Sequence, residues 1–142
     1  TAAINAAKPD KLWNAPHEAA LRVLAQGFID LQICQGNVES VLESESYKEF
    51  FMHRTGHWLG MDVHDAGEYK IGDQWRPLQP GMTLTVEPGC YIRPSDSVPQ
   101  HLWNIGIRIE DDVAITAQGN EVLTEAAPKT VADIEELMKI EI

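Results

Sequence analysis

The run HRTGHWLGMDVHD, residues 53–65, gathers His53, His57 and His64, three of the five histidines in the chain. Gly56 and Gly60 sit among them, so this stretch is expected to be something other than a plain helix. Two glutamates follow in runs that read as β, Glu87 in TLTVEPG and Glu110 in IGIRIED. An imidazole and two carboxylates drawn together from separate segments make a metal site. Their mixture of nitrogen and oxygen donors suits Mn, Co, Zn or Fe better than Ca or Mg. On spacing alone each residue also has a plainer reading. A histidine beside Trp58 and Leu59 is more often structural, and Glu87 can face water at a strand end before Pro88-Gly89. Glu110, followed by Asp111 and Asp112, resembles an acidic turn. Against these stands the cost of setting a carboxylate beside a β core unless it is paired or coordinating.

The elements that must position these groups come in two kinds. Residues 1–7 are alanine-rich and helix-friendly, and Pro9 stops them. Asn14 as N-cap, Pro16 in the first turn and Glu18 near the dipole start a helix over 15–33. Its expected inward face is Ala20, Val23, Leu24, Gly27, Phe28 and Leu31, and Gly36-Asn37 breaks it. A shorter helix is expected over 38–46. Beyond the histidine run the pattern turns to β. Pro77, Pro80 and Gly81 mark a turn, after which Met82, Leu84 and Val86 alternate with Thr83, Thr85 and Glu87. Ile105, Ile107 and Ile109 alternate with Gly106, Arg108 and Glu110. Asp111-Asp112 reads as a turn with 113–116 returning, and Gly119-Asn120 as another before Val122-Leu123. A last helix over 131–138 is expected to bury Ile134 and Leu137. Helices first and antiparallel strands after them predict an α+β fold.

At 142 residues the chain fits a single domain with a real core. Its net charge of −11, from 22 acidic and 11 basic residues, argues against nucleic acid as a partner. No apolar run approaches a membrane span and no signal peptide is visible, so no membrane association and a cytoplasmic location are expected. Cys34 and Cys90 match no redox or zinc spacing and are expected as reduced thiols.

Three motifs in order, HRTGHWLGMDVHD, LQPGMTLTVEPGCYI and NIGIRIEDDVAIT, resemble the metal-binding half of the pita-bread metallopeptidases. Among these they are most similar to the Xaa-Pro aminopeptidases. The resemblance spans nearly the whole chain and implies a partial pita-bread fold, with helices packed on a curved antiparallel sheet. It implies that residues 1–142 are the C-terminal part of a catalytic domain. The family's centre uses two aspartates, one histidine and two glutamates, and holds two divalent ions, Mn first and Co, Zn or Fe as alternatives. His57, Glu87 and Glu110 match three of the five ligands. The two aspartates belong to an upstream hairpin, and neither Asp10 nor Asp30 resembles them.

The same resemblance implies the remaining roles. Glu110 bridges the ions, and Glu87 shares an ion with His57 and shuttles the proton. His64 stabilises the oxyanion, and His53 lies near the proline end of the substrate. Arg108, on the strand face of Glu110, anchors a carboxylate. The activity implied is release of an N-terminal residue preceding proline by a metal-activated hydroxide. The partners implied are peptides with proline in second position and further copies in a homo-oligomer. Trp58, Trp75 and Trp103 are candidate walls of a proline pocket, with Trp58 and Trp103 favoured, while His17 and His101 receive no role. The rivals are prolidase, a non-catalytic pita-bread module that binds proteins, and a cupin-like β-barrel with one His/Glu site.

Overall fold

The computed structural model describes residues 1–139, so the last three residues of the resemblance lie outside the described residues. Its centre is a long antiparallel ladder made in two pieces. Strand β3 (Thr83–Val86) pairs with β6 (Asp111–Thr116), and β4 (Gly89–Ile92) pairs with β5 (Ile105–Arg108). Both pieces share one register: Val86 stands opposite Asp111, and Gly89 opposite Arg108. Counting inward from either side, Glu87 falls opposite Glu110. The interruption has a local cause. Pro88 has no N–H to give the ladder, and the Glu87 N–H turns away to the Thr55 carbonyl at 2.7 Å.

This register corrects one expectation. Asp111-Asp112 is not a turn but the start of β6. The Asp111 side chain is only 7% exposed and ion-paired with Lys129, while the Thr124 hydroxyl donates to it at 2.8 Å. A second shift is smaller. β7 (Gly119–Val122) pairs with β6 and places Thr116 opposite Gly119, so the hairpin turns at Ala117-Gln118 and Gly119-Asn120 belong to the strand. Asn120 is then free to donate its amide to the Ile4 and Ala7 carbonyls, at 2.6 and 2.7 Å, tying down the end of α1 (Ala2–Ala6). A small hairpin of β1 (Lys70–Ile71) and β2 (Gln74–Trp75) was not foreseen, although Gly72-Asp73 is its turn signal.

Helix α2 (Ala15–Asp30) starts where Asn14 and Pro16 direct, but the Asn14 side chain bonds Glu18 rather than the backbone. It ends three residues before the expected Ile33. Gln32 takes a left-handed φ of 61°, and the N–H groups of Ile33 and Cys34 both turn back to the Phe28 carbonyl. Helix α3 (Val38–Glu43) is closed by an Asn37/Ser40 capping box and stops before Glu45, whose φ is 56°. The inward face of α2 also differs from the expected one. Leu21 and Ala25 are buried with Ala20 and Phe28, while Val23 and Leu31 are exposed. The run AALRVLA is apolar nearly all round, so periodicity alone could not choose the face.

The choice is made by two separate cores. One packs α1, Trp13, Ala20 and Trp58 against β3 and β6. The other packs Leu21, Ala25 and Phe28 with Phe50, Phe51 and Ile92. The β3–β6 piece of the ladder belongs to the first core, and the β4 end to the second. The interruption carrying Glu87 and Glu110 falls between them. Helix α4 (Val131–Leu137) forms behind a Thr130/Asp133 capping box. Its Ile134 and Leu137, expected inside, are exposed, because no described element packs over them. No described helix is long and apolar enough to cross a membrane. Cys34 and Cys90 are free thiols, as expected.

Candidate metal centre

His57 is fixed before any ligand arrives. Its backbone N–H donates to the Thr85 hydroxyl at 3.1 Å, and its carbonyl accepts from the Thr85 N–H at 3.0 Å. Gly56 makes this approach possible, because a Cβ there would stand 2.1 Å from the Thr85 carbonyl oxygen. On the ring, Nδ1 lies 2.8 Å from the Trp58 carbonyl. A carbonyl only accepts, so Nδ1 carries the hydrogen, and in the neutral ring Nε2 presents a lone pair. That lone pair faces Glu87, whose Oε1 is 3.3 Å away.

Glu87 is held from several sides. The Thr85 hydroxyl, already accepting from His57, donates onward to Glu87 Oε1 at 3.0 Å. Arg108 Nε approaches Oε2 at 3.8 Å, but that side chain is half exposed. Across the interruption stands Glu110, and one donor atom each of His57, Glu87 and Glu110 lies within 4.8 Å of the others. Two carboxylates directly opposite one another repel, and the neutral imidazole lone pair 3.3 Å from Glu87 Oε1 adds to the cost. A divalent cation removes both penalties at once, and the one-nitrogen, two-carboxylate donor set fits a borderline ion. The tautomer-fixing bond from Nδ1 to a carbonyl is the usual support of a ligating histidine.

A cleft of about 470 Å³ opens over this cluster. His53, His64 and Arg108 all line it, so the structure brings every sequence-predicted site residue except Glu110 onto one wall, and Glu110 stands beside it. His64 is exposed and packs edge-on against His57, with ring centroids 4.3 Å apart. His53 has both nitrogens engaged, Nδ1 at 2.7 Å from the Arg54 carbonyl and Nε2 at 2.8 Å from the Tyr91 hydroxyl. The carbonyl fixes Nδ1 as the donor, so Tyr91 donates to Nε2. Tyr91 reaches it by lying across Gly89, where a Cβ would stand 2.5 Å from its hydroxyl.

The aromatic wall departs from expectation. Trp75 lines the cleft, joined by Trp13 and Tyr69, which sequence reasoning had passed over. Trp58 is buried in the first core, stacked on Tyr69 at 5.8 Å. Trp103 packs against the second core and donates its indole N–H to the Val98 carbonyl. No motif marks Trp13; it reaches the site because its N–H bonds the Arg76 carbonyl at 2.8 Å. Thr85 was also missed, although its place two residues before Glu87 put it on the same strand face. His17, given no role, bonds the Thr55 hydroxyl at 2.8 Å. Burial first, then the nearby charge of Arg54, lowers its pKa from 6.5 to about 4. It is therefore neutral near pH 7.

An α+β fold that interrupts an antiparallel ladder beside a histidine and two opposed carboxylates defines a protein of the metal-centred class. The chain belongs to metallopeptidase family M24, whose profile it matches over residues 1–117. It is 45% identical over 136 residues to the Xaa-Pro aminopeptidase of Haemophilus influenzae, covering 96% of this chain and 31% of that protein. Against the Xaa-Pro aminopeptidase of Escherichia coli it is 48% identical over 118 residues, 83% of this chain and 26% of the relative. The solved structure of Pseudomonas aeruginosa aminopeptidase PepP superposes with a TM-score of 0.93 at 53% identity, over 96% of this chain and 31% of that one. The fold is thus the pita-bread type. The chain spans less than a third of the length of these relatives.

Proposed function

We propose that this chain supplies His57, Glu87 and Glu110 to a two-metal centre in an enzyme that releases an N-terminal residue preceding proline. The observation that carries the reading is their convergence within 4.8 Å where the ladder is interrupted, with the half-exposed Arg108 reaching Glu87 from one side. Relatives named Xaa-Pro aminopeptidase support the substrate class. Two aspartates from an upstream segment complete the ligand set. Two divalent ions, Mn first among Mn, Co, Zn and Fe, supply a water of lowered pKa and polarise the scissile carbonyl.

The chain's own side chains do the rest. Glu87 takes the proton of the attacking water and delivers it to the departing proline nitrogen. The Thr85 hydroxyl keeps its carboxylate oriented for both tasks. His64, on the open side of His57, donates to the carbonyl oxygen as negative charge develops there. Arg108 holds Glu87 in place and faces the leaving peptide. Trp13, Tyr69 and Trp75 offer apolar surface to the proline ring. His53, locked by Tyr91, shapes the wall beside them.

Exposed Ile107 and Ile109 on β5 and beyond it give apolar surface for the upstream segment or a second copy, in line with a homo-oligomer. The two free thiols fit a reducing compartment, the cytoplasm. The test is the intact reading frame, purified and assayed for metal and for alanine release from Ala-Pro peptides. Two ions per chain and turnover that requires the second-position proline are expected. A protein that binds no divalent ion and cleaves no such peptide would end this reading.

A further inference from the structure

The walls of the cleft carry a charge opposite to that of the whole chain. The net charge is −11, yet among the described residues the cleft is lined by Arg54 and Arg108 against the acid Glu87, with Glu110 beside it. Arg108 is engaged with Glu87. Arg54 makes no ion pair within 4.0 Å among the described residues, and Glu18 acts on it only from beyond Asn14. Its guanidinium lies over the Trp75 ring at 5.0 Å from the centroid, and Lys70 Nζ lies 4.6 Å from the same ring. One of its nitrogens donates to the Asn14 amide oxygen, and the Asn14 amide nitrogen in turn donates to Glu18. Arg54 is therefore held in place by a neutral amide and an aromatic face, with most of its N–H donors left over. An arginine stacked and braced in this way is organised to take a planar, bidentate anion.

We propose that Arg54, braced by Asn14 and Trp75, is a specificity-determining residue that binds a substrate carboxylate on the C-terminal side of the scissile bond. The proposal rests on the peptidase reading above. The side is chosen by charge: the substrate's N-terminal ammonium is repelled by a guanidinium wall, whereas a carboxylate on the leaving peptide is drawn to it. That carboxylate has two sources, the C-terminus of a short peptide or an acidic side chain just after the proline. Burial of part of the Arg54 side chain, which lowers its pKa, sharpens its need for a counter-anion.

The experiment uses the intact, metal-loaded enzyme and three peptides: Ala-Pro-Ala with a free carboxylate, Ala-Pro-Ala-amide and Ala-Pro-Glu-amide. The free acid, the glutamyl amide or both are expected to exceed the alanyl amide in kcat/KM by about tenfold, through KM. Arg54→Gln should collapse that ratio toward one, and the advantage should shrink with added salt. Preference for the free acid alone assigns the C-terminus; preference for the glutamyl amide alone assigns the side chain. A ratio of one in the parent enzyme, or a ratio that Arg54→Gln leaves unchanged, overturns the proposal. So does a loss shared equally by all three peptides, the mark of a purely structural arginine. Calorimetric titration of Pro-Ala and Pro-Ala-amide into the same proteins reads the C-terminal contact without turnover, and titration of Pro-Glu-amide reads the side-chain contact. Absence of hydrolysis then counts against the peptidase reading, while equal affinity for all three ligands counts against Arg54.

Discussion

Glu110 and Asp111 are neighbours in sequence and opposites in circumstance. Asp111 opens β6 with a side chain 7% exposed, and the fold brings it its own cation, Lys129, and a donor, Thr124. Glu110 sits one residue earlier, at the interruption, where the fold brings it only Glu87 and the Nε2 lone pair of His57. One acid is complete within the chain. The other belongs to a cluster that is complete only with a cation from outside. The pair teaches that a carboxylate in this molecule serves stability where it is buried with a cation of its own chain, and binding where it stands exposed beside a second carboxylate.

The comparison breaks most sharply at Glu110. In the intact enzyme Glu110→Gln is expected to lower bound metal below two ions per chain and to remove at least about 10³-fold of kcat/KM, the scale of losing a principal electrostatic contribution. Full metal content and activity in that variant would erase the distinction between the two acids. The 142-residue chain alone, lacking the upstream aspartates, should bind at most one ion weakly and release nothing from Xaa-Pro peptides. Turnover by that chain would show that the centre needs no further ligands.

His64 refines the binding side of the comparison. His64→Ala should lower kcat by roughly 10²-fold while metal content stays intact, because the residue steadies developing charge without holding an ion. Loss of metal along with activity would move His64 into the ligand set. Asp111→Ala tests the stability side. It leaves Lys129, 27% exposed, without its partner, and should cost about 3 kcal/mol of stability. Denaturant unfolding measures this, and metal content of the folded fraction should be unchanged.

His17, silent at neutral pH, extends the comparison to a neutral group. Burial holds its folded pKa near 4, below the 6.5 of the unfolded chain. Between these values the unfolded state binds a proton that the folded state refuses, so stability falls as pH drops from 6.5 toward 4. His17→Gln keeps a partner for Thr55 and should flatten that part of the stability profile. An unchanged slope would assign the titration to another group.

Much of the site was legible because its chemistry is carried by short motifs. His57, Glu87 and Glu110 each have a plainer reading on spacing alone, and it is the resemblance of three motifs in order that singles them out. The starts of α2 and α3 were legible too, since Pro16 and the Gly36-Asn37 break act within one turn of their own positions. The misreadings have a common origin. Asp111-Asp112 resembles a turn until Lys129, eighteen residues away, is placed beside it, and Trp13 has no local mark of the cleft it lines.

Residue types thus determined by themselves which donors are present, where helices begin, and that strands alternate. Which donors meet was decided by the tertiary structure. Glu87 faces Glu110 because one register runs through both halves of a ladder that Pro88 interrupts, and register is a property of two strands together. The inward face of α2 was likewise chosen by two cores gripping it from different sides. An all-round apolar helix has no preferred face until its neighbours arrive.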